Sequence, residues 1–145
     1  MDTEQNQLTP DSSAVMKHID MYQGIINRMA GNSASCKQWA IGLASAILVL
    51  MAKEGKIEFA WLIVIPVLLF CFLDAYYLAL EKQFRSAYGI FIKALHEGEL
   101  QENQLYIVKT DGKLPKAFVE SLSSWAVWPF YGGMLGLVAV AVNMI

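Results

Sequence analysis

The stretch from Phe59 to Arg85, FAWLIVIPVLLFCFLDAYYLALEKQFR, restricts the fold more than any other part of the chain. No charged residue occurs from Phe59 to Leu73, and the apolar character resumes through Leu80 before Glu81, Lys82 and Arg85. The run reaches about 20 residues, which as a helix matches the hydrocarbon thickness of a bilayer. It is expected to span a membrane. The carboxylate of Asp74 inside it is costly unless it faces protein or water, which makes that residue a candidate functional group.

The rest of the composition agrees with a lipid environment. Of 145 residues, 56% are hydrophobic and only 17% charged, with a mean hydropathy of +0.40. The formal net charge of -2 gives no overall basic bias toward nucleic acid or an anionic surface. Cys36 and Cys71 stand far apart beside apolar runs, which suits small buried hydrophobes better than a disulfide or a metal site. The N-terminal MDTEQNQLTPDSS lacks the basic-then-apolar pattern of a secretory signal, so no cleavage is expected.

Taken in order, residues 1–13 read as a flexible polar tail able to cap a helix at Ser12 or Ser13. Ile19, Tyr22, Ile26 and Met29 then mark an amphipathic helix over 14–37. Gly31-Asn32-Ser33 either breaks that helix or admits another backbone. Residues 38–81 read as a transmembrane hairpin, its arms Trp39 to Ala52 and Phe59 onward, joined by the hydrophilic turn Lys53 to Glu58. Gly42, Ser45 and Ala46 give the first arm a small face, and Pro66 is expected to kink the second.

Beyond Leu80 the helical period persists through Phe84, Tyr88, Phe91, Ile92 and Leu95 to Glu97-Gly98. Within the segment 82–123, assigned to cytosolic helices, Gln104 to Val108 suggests a short strand or hairpin, with turn residues at 110–113, and Leu114 to Ser124 a further amphipathic helix started by Pro115. Residues 124–145 form an apolar C-terminal span with Trp125 and Trp128 at interfacial positions. The fold class is therefore an all-α membrane protein: a transmembrane helical hairpin plus a C-terminal transmembrane helix, with N-terminal and central cytosolic helices.

Charge placement orients it. Lys17, Arg28 and Lys37 precede the first span, and Lys82, Arg85, Lys93, Lys109, Lys113 and Lys116 lie between the second and third, against only Lys53 and Lys56 in the turn. The N-terminus and the middle segment are expected to be cytosolic. The C-terminus then lies on the far side unless the last segment is re-entrant.

No catalytic pattern is present: neither His18 nor His96 has metal-ligand spacing, and no nucleophile elbow or phosphate loop occurs, so an enzyme is not expected. Neither a metal site nor a cofactor is expected. Asp74, Leu78, Glu81 and Arg85 share one helical face, on which Asp74 and Glu81, with neighbouring Tyr77, are candidates for a pore or gate. The alternative is an inter-helix ion pair of Asp74 with Arg28 or Lys37. Tyr76 and Tyr77 also fit interface aromatics. Arg28, Asn32, Lys37, Arg85 and Lys93, repeated around an oligomer, form a candidate cationic ring for a phosphate ligand, or else are ordinary positive-inside residues. Gly132, Gly133 and Gly136 are candidates for oligomerisation.

The stretches NRMAGNSASCKQWAI and LDAYYLALEKQFR resemble motifs of small multi-pass bacterial membrane effectors of antiphage defence, the Hailong type. The likeness covers about residues 19 to 95. It implies a shared core containing Asn27, Arg28, Met29, Asn32, Ser33, Lys37 and Trp39 with Asp74, Tyr76, Tyr77, Glu81, Phe84 and Arg85. The resemblance also implies an oligomeric ion channel of the bacterial inner membrane, held shut by a nucleotide or DNA-oligomer signal from a partner nucleotidyltransferase, whose opening depolarises the infected cell; a homo-oligomer such as a tetramer is expected. The competing expectation is a non-conducting membrane scaffold that recruits a cytosolic partner.

Overall fold

The computed structural model describes residues 8–110 and 112–144. Part of the expected tail, Asp111 of the expected turn and the terminal Ile145 lie outside the described residues. Among those described, all regular structure is helical: α1 (Ser13–Glu54), a 3-10 turn (Ile57–Ile63), α2 (Val64–Glu97), a short 3-10 turn (Glu102–Gln104), α3 (Leu114–Leu122) and α4 (Trp128–Met144).

α1 runs for 42 residues, about 63 Å, without interruption. Gly31 neither breaks it nor receives a neighbouring backbone, because a Cβ there would meet nothing within 4 Å. The helix stops at Gly55, whose φ of 63° is left-handed and whose N–H bonds to the Met51 carbonyl. α2 ends in the same way at Gly98, φ 71°, bonded to the carbonyls of Ala94 and Leu95. Pro66 is the third residue of α2, just past the point where the 3-10 turn gives way to α-helix. The run Gln104 to Val108 forms no strand, since no extended neighbour pairs with it.

α1 and α2 pack antiparallel along their length, with Tyr22 against Tyr88 at one end and Lys37 against Asp74 further along. Alanines at the interface, Ala40, Ala44, Ala75 and Ala79, are all at most 3% exposed and let the two backbones approach. Two apolar clusters result. One, toward the hairpin tip, joins Ala40, Met51, Ile63 and Val67 to Val127 and Tyr131. The other, at the open end, joins Val15, Tyr22, Phe91 and Leu95 to Leu105 of the segment after α2.

α3 falls in the 82–123 segment that the sequence places outside the membrane hairpin, yet it lies against the apolar half of α2. Phe118 stacks on Phe72 at 6.4 Å, and Leu122 packs onto the tip-side cluster. α4 then runs alongside the second half of α1, with Phe130 near Lys37 and Met134 and Ala141 flanking a groove shared with Ile41 and Leu48. α1 and the stretch Ile57–Glu97 are both long and apolar enough to cross a membrane, while α4 is a shorter apolar helix of 17 residues.

Candidate functional site

Where the three apolar helices meet, the side chains become polar. Asp74 is completely buried on α2 and faces α1. Its Oδ1 accepts a hydrogen bond from the Ser33 hydroxyl and its Oδ2 accepts one from the Lys37 ammonium, which also lies 3.4 Å from Ser33 Oγ. Helical spacing explains the pairing, since Ser33 and Lys37 are four apart and present their groups on one face. From α4, Tyr131 donates to the Phe70 carbonyl at 3.1 Å. The Phe130 ring sits 5.9 Å from Lys37 Nζ, a distance at which its face attracts the cation. The expected ion pair of Asp74 is present, with Lys37 rather than Arg28 as its partner, and a pair that breaks can also serve as a gate.

This arrangement holds charge in an apolar setting because each charged atom has a partner. The Lys37 side chain keeps 24% of its surface exposed while that of Asp74 keeps none, so the ammonium reaches toward the edge of the bundle and the carboxylate cannot. Lys37 stands 18 residues before Gly55, about 27 Å along the helix from the hairpin tip. Exposed tryptophans mark both levels: Trp39, Trp125 and Trp128 near the pair, and Trp61 near the tip.

The other candidates are distributed along the helix pair. Tyr77 is half-buried, one helical turn from Asp74, with its ring edge-on to Tyr76 at 5.8 Å. Glu81, its side chain 14% exposed, accepts from Arg85 Nε at 2.8 Å, and Lys93 lies 3.8 Å from Glu97. Arg28 is exposed and Asn32 half-buried. From the level of Asp74 to Lys93 is about 28 Å of helix, so the five proposed ligand residues do not converge within one subunit. Around Gly132, Gly133 and Gly136 an added Cβ would meet nothing within 4 Å, leaving that face of α4 unpartnered in the single chain.

A second polar feature, absent from the sequence expectations, lies at the open end. A cavity of about 390 Å³ separates α2 from the segment 100–109, with His18, Tyr22 and Phe91 at its floor and Asn103, Gln104 and Lys109 at its polar wall. His18 is 1% exposed, with its ring 5.0 Å from Tyr22 and 4.4 Å from Phe91. Its Nδ1 accepts the backbone N–H of Tyr106 at 2.9 Å, which fixes the neutral form with the acceptor at that nitrogen. Burial pushes the imidazole below its ordinary pKa and the Tyr22 phenol above its own. Tyr106 has a φ of 63°, a left-handed backbone that costs a bulky residue about 1–2 kcal/mol. The signal in the sequence was the i, i+4 pair His18 and Tyr22 on the buried face of α1.

Among the described residues, no group of three or more His, Cys, Asp or Glu side chains is placed to hold a metal ion. Comparison of the chain with protein-family models, with curated proteins and with solved structures finds no match.

Proposed function

We propose that the protein is an oligomeric membrane effector in which α1, α2 and α4 cross the bilayer and form a gated ion path, while the open end of the helix pair senses a small ligand. The observation that carries this reading is mechanical. His18 and Lys37 sit on one unbroken helix, and Phe91 and Asp74 on another, so a change at the cavity tilts the same two rods that the ion pair locks. The most apolar 18-residue stretches of these helices are only 22% and 28% buried, which leaves their side chains to lipid rather than to a protein core. Asp74 and Lys37 then lie at the bilayer boundary, flanked by an aromatic belt.

The positive-inside distribution puts the cavity in the cytosol. The glycines of α4 and the groove beside α1 provide the contact by which copies associate around a path. The likeness to Hailong-type effectors supplies the setting: defence against phage at the bacterial inner membrane, with a nucleotide or DNA-oligomer signal from a partner nucleotidyltransferase, and depolarisation as the outcome. Within each subunit the resting pair holds the path shut.

The scaffold reading has its own support in Ile90, Tyr106 and Ile107, which are about half exposed around the cavity and suit a protein partner. Reconstitution into liposomes separates the two readings. A channel passes ions across the vesicle wall, without other proteins, once Asp74→Asn has broken the ion pair. A scaffold passes none and is recovered from detergent as a stable complex with its partner.

A further inference from the structure

The segment between α2 and α3 is tied to the helix pair at one polar point. Leu105 is buried in the open-end cluster, and the next residue, Tyr106, adopts a left-handed backbone in order to aim its N–H at His18 Nδ1. That hydrogen bond requires an unprotonated Nδ1. A proton there removes the acceptor and leaves a cation on a side chain with 1% of its surface in solvent.

Among the described residues, the surroundings offer a charged imidazole aromatic rings but no counter-charge. From α2 the floor presents Ala87 and Phe91, neither ionisable; from the segment it presents neutral Asn103 and Gln104 and the cation Lys109; from α1 the neighbouring ring is the Tyr22 phenol. No carboxylate lines the cavity among the described residues. Lys17 and Asp20, beside His18 on its own helix, face solvent.

We infer that His18 and Tyr106 form a proton-sensitive latch: a neutral His18 holds the segment 99–110 over the cavity, and protonation releases it. The inference deepens the sensing end of the function proposed above, because the released segment is one wall of the cavity and leads directly into α3. The depressed pKa of His18 sets the direction. The latched state binds fewer protons than the released one, so the latch is at full strength above the free imidazole value of about 6.5 and weakens as pH falls below it.

Hydrogen exchange on the full chain in lipid nanodiscs at pH 7.5 and 5.5, corrected for the chemical exchange rate, tests this directly. Protection of the 99–110 amides, Tyr106 above all, should fall several-fold and at most about tenfold between the two values, while α2 amides hold theirs. His18→Asn keeps an acceptor near the Nδ1 position without a titrating group, and its protection should not change with pH. His18→Phe should expose the segment at both values. Unchanged protection in the wild type, an equal fall in His18→Asn, or a loss spread evenly over α1 and α2 would each overturn the latch. Ion flux plays no part in this readout, so failure of the channel reading leaves it intact and failure of the latch leaves the channel reading intact.

Discussion

Lys37 of α1 and Asp74 of α2 close an ion pair across the helical hairpin, with the carboxylate wholly enclosed and the ammonium partly open. Breaking such a pair from one side strands a buried charge, which costs far more than the pair contributes relative to apolar replacements. Lys37→Met should therefore destabilise the fold by about 3–5 kcal/mol. Adding Asp74→Leu should recover most of that loss, and the pair of variants followed by denaturation in detergent measures both steps. Losses that simply add would mean the two residues act independently.

The same substitution should have opposite signs at two glycines. Gly98 needs its left-handed φ of 71° to end α2, so Gly98→Ala should cost about 1–2 kcal/mol. Gly31 sits inside α1 with open space around it, so Gly31→Ala should add about 0.5–1 kcal/mol. Melting temperatures of the two variants, one lowered and one raised, check the assignment.

The proposed orientation rests on where the cations lie, and single cysteines test it. With Cys36 and Cys71 replaced by alanine, Glu54→Cys at the hairpin tip should react with an impermeant thiol reagent on intact spheroplasts. Lys109→Cys beside the cavity should react only after the membrane is opened. The reverse pattern would place the cavity outside the cell.

Much of the architecture was legible because its causes are local. The helical period from Phe84 to Leu95 and the cap at Gly98 are written in the sequence, and so is the run of apolar residues before Asp74. The partner of Asp74 was narrowed to Arg28 or Lys37, and one further step distinguishes them. These residues are nine apart and so point to opposite faces of a helix. The buried stripe through Tyr22, Ile26, Ser33, Cys36 and Ala40 runs on the side of Lys37. What could not be read were relationships between distant segments: Tyr131 reaching Phe70, α3 lying along the apolar half of α2, and Tyr106 capping His18 from 88 residues away. Gln104 to Val108 looked strand-like because its residue types favour extension, but β structure needs a neighbouring strand, and the helix pair offers it a side-chain acceptor instead.

In the proposed channel the Lys37–Asp74 pair holds the ion path shut. Asp74→Asn tests it with the smallest change, since asparagine retains the shape and a hydrogen bond to Ser33 while removing the charge that binds Lys37. Purified wild-type and Asp74→Asn proteins, reconstituted at equal density into liposomes loaded with a potential-sensitive dye, should differ, the variant collapsing an imposed potassium gradient and the wild type sustaining it. Equal retention of the potential by both proteins, with the variant folded and inserted, would contradict the gate.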